Sequence, residues 1–367
     1  MNFYRDVVAP GLFAVSADRS HALAHAALRW ILPWRMLSAA SQLVVDDPGL
    51  KTKFAGIELP NPVGLAAGFD KNAELLGALS CLGFGFICVG SIMPEPRYGN
   101  PFPRLVRYRN RESIADSMGV PSKGRGYAVA RLQRPRENQV PVFANVGGFS
   151  AETIAAGVLD VQPYVDIVEI SLMCPNVLKA GEIFDEVGML QGVLERIEGR
   201  TASVIVRVPN DTTQMPDRLA ELIELCIVAG VGGLKVGGGR RRPEPGLGSG
   251  IGTLHGREIF EAALENVERA AFFARGRIPI KGNGGISSAA DVLAMRRAGA
   301  TCVDLYSAFV YQGWTIARDI NRKLAPLWSQ STPSPSTSAS GLSALGLKPA
   351  VADVAATFTA RKADRTG

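Results

Sequence analysis

Short apolar runs and longer helical stretches alternate along the chain from about residue 54. Many of the runs end in Gly or Asn, and the stretches between them repeat apolar residues at helical spacing. The runs read PVGLAAG, FGFICVGS, VPVFANVGG, VDIVEIS, SVIVRVP, VGGLKVGGG, IPIKGNGG and ATCVDLYSA. Eight strand-like runs with helices between them predict an α/β fold, a parallel (β/α)8 barrel, over residues 51–327. A doubly wound open sheet is the competing fold.

Residues 1–50 have a different pattern and predict a small helical segment. The stretch SADRSHALAHAALRWILPWRML indicates a helix, with Ser16 or Asp18 as its cap. Its apolar residues recur at helical spacing, as Leu23, Ala27, Trp30 and Trp34. Because arginines flank the tryptophans, this helix suits a membrane surface. The alternative is that its apolar face packs on the barrel.

Residues 328–367 form a third region. The stretch SQSTPSPSTSAS is rich in Ser, Thr and Pro, which is typical of a flexible linker, and we assign no function to the tail that follows it.

Composition narrows the class of protein. The chain has 367 residues, of which 47% are hydrophobic, so it can bury a large core. The net charge of +6 is spread along the sequence except at Arg240–Arg242, so it indicates no nucleic-acid site. The 5 cysteines include no CxxC pair and the 3 histidines are scattered, so we expect reduced thiols and no metal. We find no signal peptide and no apolar run of ~18 residues that would span a membrane.

Polar and glycine residues cluster where the apolar runs end. They are Lys71, Asn145, Cys174, Asn176, Arg207, Gly237–Gly239 and Asn283. The carboxyl ends of the strands meet at one face of a barrel, so the sequence predicts one site at the barrel mouth.

The stretch IKGNGGISS is the strongest local signal of a ligand. Gly284 and Gly285 end a predicted strand, and Ser287 or Ser288 then begins a helix. Glycines let the backbone approach a ligand closely, and a helix amino terminus favours an anion. The pattern therefore predicts a phosphate-bearing cofactor, and a glycine turn without a ligand is the alternative.

Some single side chains could carry chemistry at this mouth. Arg207 lies among β-branched residues and needs a partner if buried, while Lys71 lies in a loop of small residues just past a strand. Cys174 stands in a loop before Pro-Asn, where a thiol can act as a base or nucleophile. A buried, inert thiol is the alternative, and it is our interpretation of Cys81, Cys88, Cys226 and Cys302.

Several stretches taken together resemble the flavin-dependent dihydroorotate dehydrogenases. They are NPVGLAAGFDKNAE, LGFGFICVGSIMPEPRYGNPFPRLVRY, SMGV, CPN, GNGGISS and AGATCVDLYSAF, and the amino-terminal DRSHALA resembles the quinone-reducing, membrane-associated class. The resemblance implies a (β/α)8 barrel with FMN at the strand ends. It implies oxidation of dihydroorotate to orotate, and electron transfer to a quinone that enters between amino-terminal helices. It also implies peripheral attachment to the cytoplasmic side of the inner membrane.

The resemblance assigns roles to individual residues. Those expected to line the flavin or hold its phosphate are Ala66, Ala67, Gly68, Ser91, Asn145, Arg207, Gly256, Gly284, Gly285, Tyr306 and Ser307. Those expected at the substrate are Lys71, Asp116, Ser171 and Asn176. His21 and Arg107 match positions beside the quinone, and Cys174 falls on the catalytic base that takes the C5 proton of dihydroorotate.

The chain departs from the family pattern in the substrate pocket. Cys174 stands where the quinone class has Ser, and Asp116 and Ser171 replace asparagines, leaving Asn176. A Thr-Asn-Thr loop is replaced by Gly237–Gly239 and the arginines Arg240–Arg242. Each lost amide contact should weaken binding of a polar substrate by on the order of 1 to 3 kcal/mol. Two alternatives to a dihydroorotate dehydrogenase therefore stay open. The protein could be a relative that acts on another cyclic or unsaturated acid, whose carboxylate Arg240–Arg242 could bind. It could also be a relative that binds FMN without catalysing a reaction. An exposed loop is the simpler interpretation of the arginines.

Overall fold

A computed structural model describes residues 3–30, 33–135, 140–172, 185–210 and 212–331 of the chain. Its strands are β1 (Thr52–Phe54), β2 (Ile57–Leu59), β3 (Val63–Leu65), β4 (Phe86–Ile92), β5 (Pro96–Arg97), β6 (Leu105–Tyr108), β7 (Ser113–Asp116), β8 (Ser122–Lys123), β9 (Val142–Gly147), β10 (Ile167–Ser171), β11 (Ser203–Arg207), β12 (Gly233–Gly237), β13 (Arg240–Pro243), β14 (Ile251–Gly256), β15 (Ile280–Asn283) and β16 (Ala300–Leu305). Its α-helices are α1 (Ala9–Ala14), α2 (Ala17–Trp30), α3 (Trp34–Ser41), α4 (Leu76–Leu79), α5 (Arg125–Leu132), α6 (Ala151–Val161), α7 (Glu186–Arg196), α8 (Pro216–Val228), α9 (Phe260–Ala274), α10 (Ala289–Arg297), α11 (Ser307–Gln312) and α12 (Ile316–Trp328).

Parallel strands close into a barrel. Within the described residues the barrel order is β10, β11, β12, β15, β16, β3, β4 and β9, which returns to β10. All of these neighbours pair in parallel. Each predicted apolar run supplies one barrel strand, so the (β/α)8 prediction is confirmed and the open sheet is wrong.

An aromatic layer fills the amino-terminal half of the barrel. The rings of Phe86 and Phe143 stack with their centroids 4.5 Å apart, and Phe54, from the β1–β2 hairpin, stacks on Phe143 at 6.3 Å. Cys88 and Cys302 are buried in the same cluster. A larger apolar core lies between the strands and the surrounding helices. This end of the barrel is therefore closed, and a ligand has room only at the other end.

An antiparallel sheet stands at the mouth of the barrel. It runs in the order β13, β14, β7 and β6. Asp116, at the end of β7, pairs with Thr253 of β14 and with Leu105 of β6. This sheet forms one wall of the site described below.

The amino-terminal segment is divided where a single helix was predicted. Helix α2 ends at Trp30, and α3 begins at Trp34 after Pro33. Proline has no amide hydrogen and crowds the preceding helical turn, so this prediction was wrong in length. The hydroxyl of Ser16 accepts from the amide of Arg19, 3.4 Å away, and therefore caps α2 as predicted. Asp18 instead accepts a hydrogen bond from the backbone amide of Arg104, which fixes α2 to the barrel. None of the described helices has the length and hydropathy needed to cross a membrane.

Candidate active site

A cavity of about 220 Å³ opens at the carboxyl ends of the barrel strands, and we call it the mouth cavity. Most of the predicted site residues line it, namely Ala66, Ala67, Gly68, Lys71, Ser91, Asp116, Asn145, Arg207, Gly256, Gly284, Gly285, Tyr306 and Ser307. Ser171 is buried at the end of β10 and is not part of this lining. Cys174 and Asn176 lie outside the described residues.

Two loops of the lining approach so closely that side chains are excluded. Gly256 has φ +99°, and an added Cβ there would lie 2.4 Å from the carbonyl oxygen of Glu112. Gly285 has φ +70°, and its Cβ would lie 2.8 Å from the carbonyl oxygen of Gly256. Only glycine tolerates both the left-handed conformation and this spacing. The loops therefore present backbone to the cavity, which suits an anionic group.

Charged side chains lie in the floor of the mouth cavity and directly beneath it. The ammonium of Lys281 lies 2.5 Å from Glu169 and 2.9 Å from Asp304. That of Lys235 lies 3.3 Å from Glu169 and 3.1 Å from Asp304. We call these residues the buried ion cluster. Lys281 also lies 5.3 Å above the rings of Phe86 and Phe143, so the cluster rests on the aromatic layer.

Glu169 and Lys281 are held in ionised form by the charges around them. Burial alone would raise the pKa of Glu169, but the ammonium groups of Lys235 and Lys281 hold it well below its usual range. Burial opposes the charge of Lys281 too, yet Asp304 and Glu169 hold its pKa well above the usual value. Isolated charges in such a place would be neutralised or excluded, so the pairing is what makes the cluster possible.

The buried ion cluster was not predicted from the sequence. Each member lies inside an apolar run that was predicted as a strand. A charge on a buried strand needs a partner, and this rule, applied above to Arg207, points to Glu169, Lys235, Lys281 and Asp304 as well.

Asn145 and Arg207 lie directly beside the cluster. The side-chain amide of Asn145 donates to Glu169 at 2.8 Å. Its Oδ1 atom is buried and has no hydrogen-bond partner among the described residues. Arg207 pairs in register with Lys235, across β11 and β12. The cavity therefore offers an unused acceptor beside cationic donors.

The sheet wall of the cavity carries a contact between a histidine and a carboxylate. Nε2 of His255 lies 2.8 Å from Oδ2 of Asp116. Burial opposes the charge of Asp116, but His255 and, more weakly, Lys71 lower its pKa. His255 was not among the predicted site residues, since its partner is distant in sequence.

Lys71 joins this wall to the amino-terminal helices. It follows β3 in a loop whose amides are bound by the carboxylate of Asp70, at 2.8 Å each. Its ammonium donates to the carbonyl of Gly68 at 2.6 Å and lies 3.4 Å from Nε2 of His21. Burial lowers the pKa of Lys71 to about 8, although Asp116 and Asp70 oppose the shift.

An apolar cavity of about 370 Å³ lies beyond His21, and we call it the helix cavity. Residues of α1, α2 and α11 line it, together with both predicted quinone-side residues, His21 and Arg107. Leu105, Ile114 and Tyr306 line the mouth cavity as well, so the cavities are adjacent. Burial, Lys71 and His25 hold the pKa of His21 well below its usual range.

Arg107 holds the wall of the helix cavity together. Its guanidinium donates to the carbonyls of Leu12 and Val15 and to the hydroxyl of Ser20. It also lies 4.8 Å above the ring of Phe13. Arg107 therefore fixes α1 and α2 against β6.

The arginines Arg240–Arg242 do not reach the mouth cavity. They form β13, which pairs with β14, and Arg242 lies 3.1 Å from Glu244. The expectation of a loop was wrong because these residues form a strand, but Arg240 and Arg241 are exposed, as expected. The alternative role in binding a substrate carboxylate finds no support, since none of Arg240–Arg242 lines the mouth cavity.

The described residues contain no group of three or more His, Cys, Asp or Glu side chains that could hold a metal ion.

The chain is similar to known proteins along most of its length. The family model for dihydroorotate dehydrogenase matches residues 49–327. A dihydroorotate dehydrogenase (quinone) of Cereibacter sphaeroides is 33% identical and covers 89% of this chain and 94% of its own. One of Halobacterium salinarum is 35% identical and covers 86% and 93%.

A solved structure has the same fold. A crystal structure of a dihydroorotate dehydrogenase from Eimeria tenella, in complex with ferulenol, is 25% identical with a TM-score of 0.76, and covers 89% of this chain and 98% of its own. The matched part thus covers most of both chains. On the evidence of the family model and these relatives, the chain belongs to the dihydroorotate dehydrogenase family.

Proposed function

We propose that this protein oxidises dihydroorotate to orotate with FMN and passes the electrons to a quinone. The observation that carries the proposal is the adjacency of a polar mouth cavity and an apolar helix cavity in a chain of this family. A polar acid and an apolar acceptor need separate sites that share one redox group, and these cavities have common walls.

The mouth cavity suits FMN. The free Oδ1 of Asn145 is an acceptor for the ring N–H of a flavin, and Arg207 and Lys235 offer donors to its carbonyl edge. Ala66 and Ala67 supply apolar contact, while Gly68, Ser91 and Tyr306 complete the lining around the ring. Bound there, FMN supplies a two-electron acceptor for oxidation of a carbon–carbon single bond.

The glycine loops and Ser307 would hold the phosphate. Gly256, Gly284 and Gly285 present backbone to the cavity, and Arg257 lines the same side. Arg257 also lies 2.8 Å from Asp291, which orients its guanidinium. The arrangement combines amide donors with a cation, as phosphate sites do.

Lys71, Asp116 and Asn176 would bind the substrate, whereas Ser171, which does not line the mouth cavity, is given no contact with it. The ammonium of Lys71 would pair with the substrate carboxylate. The carboxylate of Asp116 would accept a hydrogen bond from an N–H of the substrate ring. Cys174 would remove the C5 proton as the general base. A thiol acts as a base at neutral pH only if its pKa is lowered, as cations close to a thiol do.

The helix cavity would admit the quinone. Its lining is apolar, with His21 and Arg107 as polar groups beside the mouth cavity.

We further propose peripheral attachment to a membrane through the amino-terminal helices. Phe3, Val7 and Met36 are 61%, 51% and 71% exposed there, and such apolar side chains partition into a membrane surface.

The comparisons do not favour the alternatives of a different acid or a non-catalytic relative, since the curated relatives are themselves dihydroorotate dehydrogenases.

Reconstitution tests the proposal. The purified protein is incubated with FMN, freed of excess cofactor and supplied with dihydroorotate and a short-chain quinone. We expect a yellow protein that consumes the quinone only when dihydroorotate is present. A protein that remains colourless would refute the proposal.

A further inference from the structure

Lys235 differs from the other lysine of the buried ion cluster in its access to the mouth cavity. It lines that cavity, and its side chain is 8% exposed. Lys281 contacts the same carboxylates but is 0% exposed and does not line the cavity. The cluster thus delivers one of its ammonium groups to the ligand site and keeps the other beneath it.

The carboxylates fix the position of that ammonium. Glu169 and Asp304 lie on separate barrel strands, β10 and β16, and both contact Lys235. Each is also anchored from elsewhere, since Glu169 accepts from Asn145 and Asp304 accepts from Asn283. Lys235 is therefore held at a fixed place on the cavity floor, where a flexible lysine would otherwise move freely.

The charge balance of the floor depends on Lys235. The cluster has as many ammonium groups as carboxylates, so its formal charge is zero, and Arg207 adds a positive charge beside it. Without Lys235, the carboxylates of Glu169 and Asp304 would exceed the remaining ammonium of Lys281. The floor would then present negative charge to whatever binds above it.

We propose that Lys235 contacts the bound FMN and favours its reduced form. The inference rests on the proposed function, because it requires FMN in the mouth cavity. Reduction makes the isoalloxazine more electron-rich, and a fixed cation in a site of low dielectric stabilises that form more than the oxidised form. The free acceptor on Asn145, which is bound to Glu169, places the cofactor's polar edge on the same side as Lys235.

Comparison of Lys235→Met with Lys281→Met tests the assignment. Both variants remove one ammonium from the same cluster, but only the first removes a group that lines the cavity. The reduction potential of bound FMN is measured by anaerobic titration with dithionite and a reference dye. In Lys235→Met, we expect the preference for reduced over oxidised FMN to be at least ~10-fold weaker than in the wild-type protein. For a two-electron couple, this change lowers the reduction potential of bound FMN by about 30 mV. Lys281→Met should shift the potential by less than half as much.

Further variants cover the event that a single substitution prevents folding. Lys235→Arg keeps the cation and should retain the wild-type potential. The double variant Lys235→Met/Asp304→Asn keeps the floor neutral and should still show a lowered potential, because the contact with FMN is lost. A wild-type potential in FMN-loaded Lys235→Met, or in the double variant if the single one does not fold, would overturn the assignment. Equal shifts in Lys235→Met and Lys281→Met would also overturn it, since the total charge and not contact would then set the potential.

The proposed function fails separately from this inference. If the wild-type protein binds no FMN, both are wrong. If it binds FMN and is reduced by dihydroorotate while Lys235→Met has an unchanged potential, only the role of Lys235 is wrong.

Discussion

The ammonium of Lys71 lies 3.4 Å from Nε2 of His21, although the residues are 50 positions apart in sequence. Lys71 lines the mouth cavity and His21 lines the helix cavity. This contact links the place expected for an acidic substrate with the place expected for a quinone. Both groups are shifted toward their neutral forms, because burial lowers the pKa of Lys71 to about 8 and that of His21 below its usual range.

The lowered pKa of Lys71 predicts how binding of orotate depends on pH. Lys71 is charged below about pH 8 and loses its proton above it. The affinity for orotate should therefore be constant between about pH 6.5 and 7.5 and should fall by up to ~10-fold per pH unit above pH 8. Quenching or perturbation of the flavin spectrum by orotate measures the dissociation constant.

Lys71→Arg is the matched control for that titration. Arginine stays charged throughout this range, so the affinity of Lys71→Arg for orotate should not change between pH 7 and pH 9. Lys71→Met should bind orotate weakly at every pH. If the wild-type protein and Lys71→Arg show the same pH profile, Lys71 does not bind the carboxylate as a cation.

Filling the helix cavity should block the quinone without affecting the substrate. Ala24 lines this cavity on α2, so Ala24→Trp should lower quinone-dependent turnover by on the order of tenfold or more. Stopped-flow measurement should find the rate of FMN reduction by dihydroorotate unchanged within about twofold. Deletion of residues 1–48 should give the same separation of the half-reactions.

Ala26 provides the control, since it is exposed on the same helix and does not line the cavity. Ala26→Trp should leave both half-reactions unchanged. Equal losses of FMN reduction and quinone turnover in Ala24→Trp would mean that α2 is purely structural.

The exposed apolar side chains predict binding to membranes. Val7 lies in the π-helical turn Tyr4–Val8 that precedes α1, Met36 lies on α3, and neither lines the helix cavity. The double variant Val7→Glu/Met36→Glu should bind lipid vesicles at least ~10-fold more weakly than wild type, because charged side chains do not partition into the interface. Co-sedimentation with vesicles of bacterial lipid measures the bound fraction.

An exposed leucine on the barrel serves for comparison. Leu159, on α6, is 40% exposed, and Leu159→Glu should bind vesicles as wild type does. Loss of binding in this variant as well would indicate general charge repulsion. Retained binding in Val7→Glu/Met36→Glu would exclude these helices as the attachment site.

The barrel could be predicted from the sequence because its signal is local. Each strand is one apolar run, and the helices between them repeat apolar positions in a regular way. The helix over residues 16–37 was less well predicted, since the proline within it was given too little weight. Most of the residues that line the mouth cavity were predicted because they belong to motifs of a known family.

The buried ion cluster and the adjacency of the cavities could not be predicted in the same way. Glu169 and Lys281 are separated by 112 positions and meet only when β10 and β15 enter the same barrel. The shared walls likewise come from distant segments, with Leu105 on β6, Ile114 on β7 and Tyr306 after β16. Pairing between distant residues depends on register and closure, which no local pattern contains.

The proposed base, Cys174, gives a prediction that does not depend on its position in the structure. Cys174→Ala should retain FMN but reduce it with dihydroorotate at least ~10²-fold more slowly, because the C5 proton then has no acceptor. Cys174→Ser should keep part of the activity. Unchanged reduction kinetics in Cys174→Ala would indicate that this thiol is inert.

A single anaerobic turnover tests the central claim, that bound FMN oxidises dihydroorotate. The FMN-loaded protein is mixed with dihydroorotate in the absence of quinone and oxygen, and orotate is quantified by chromatography. We expect loss of the flavin's visible absorbance and one equivalent of orotate for each equivalent of bound FMN. A flavin that stays oxidised, with no orotate formed, would contradict the account.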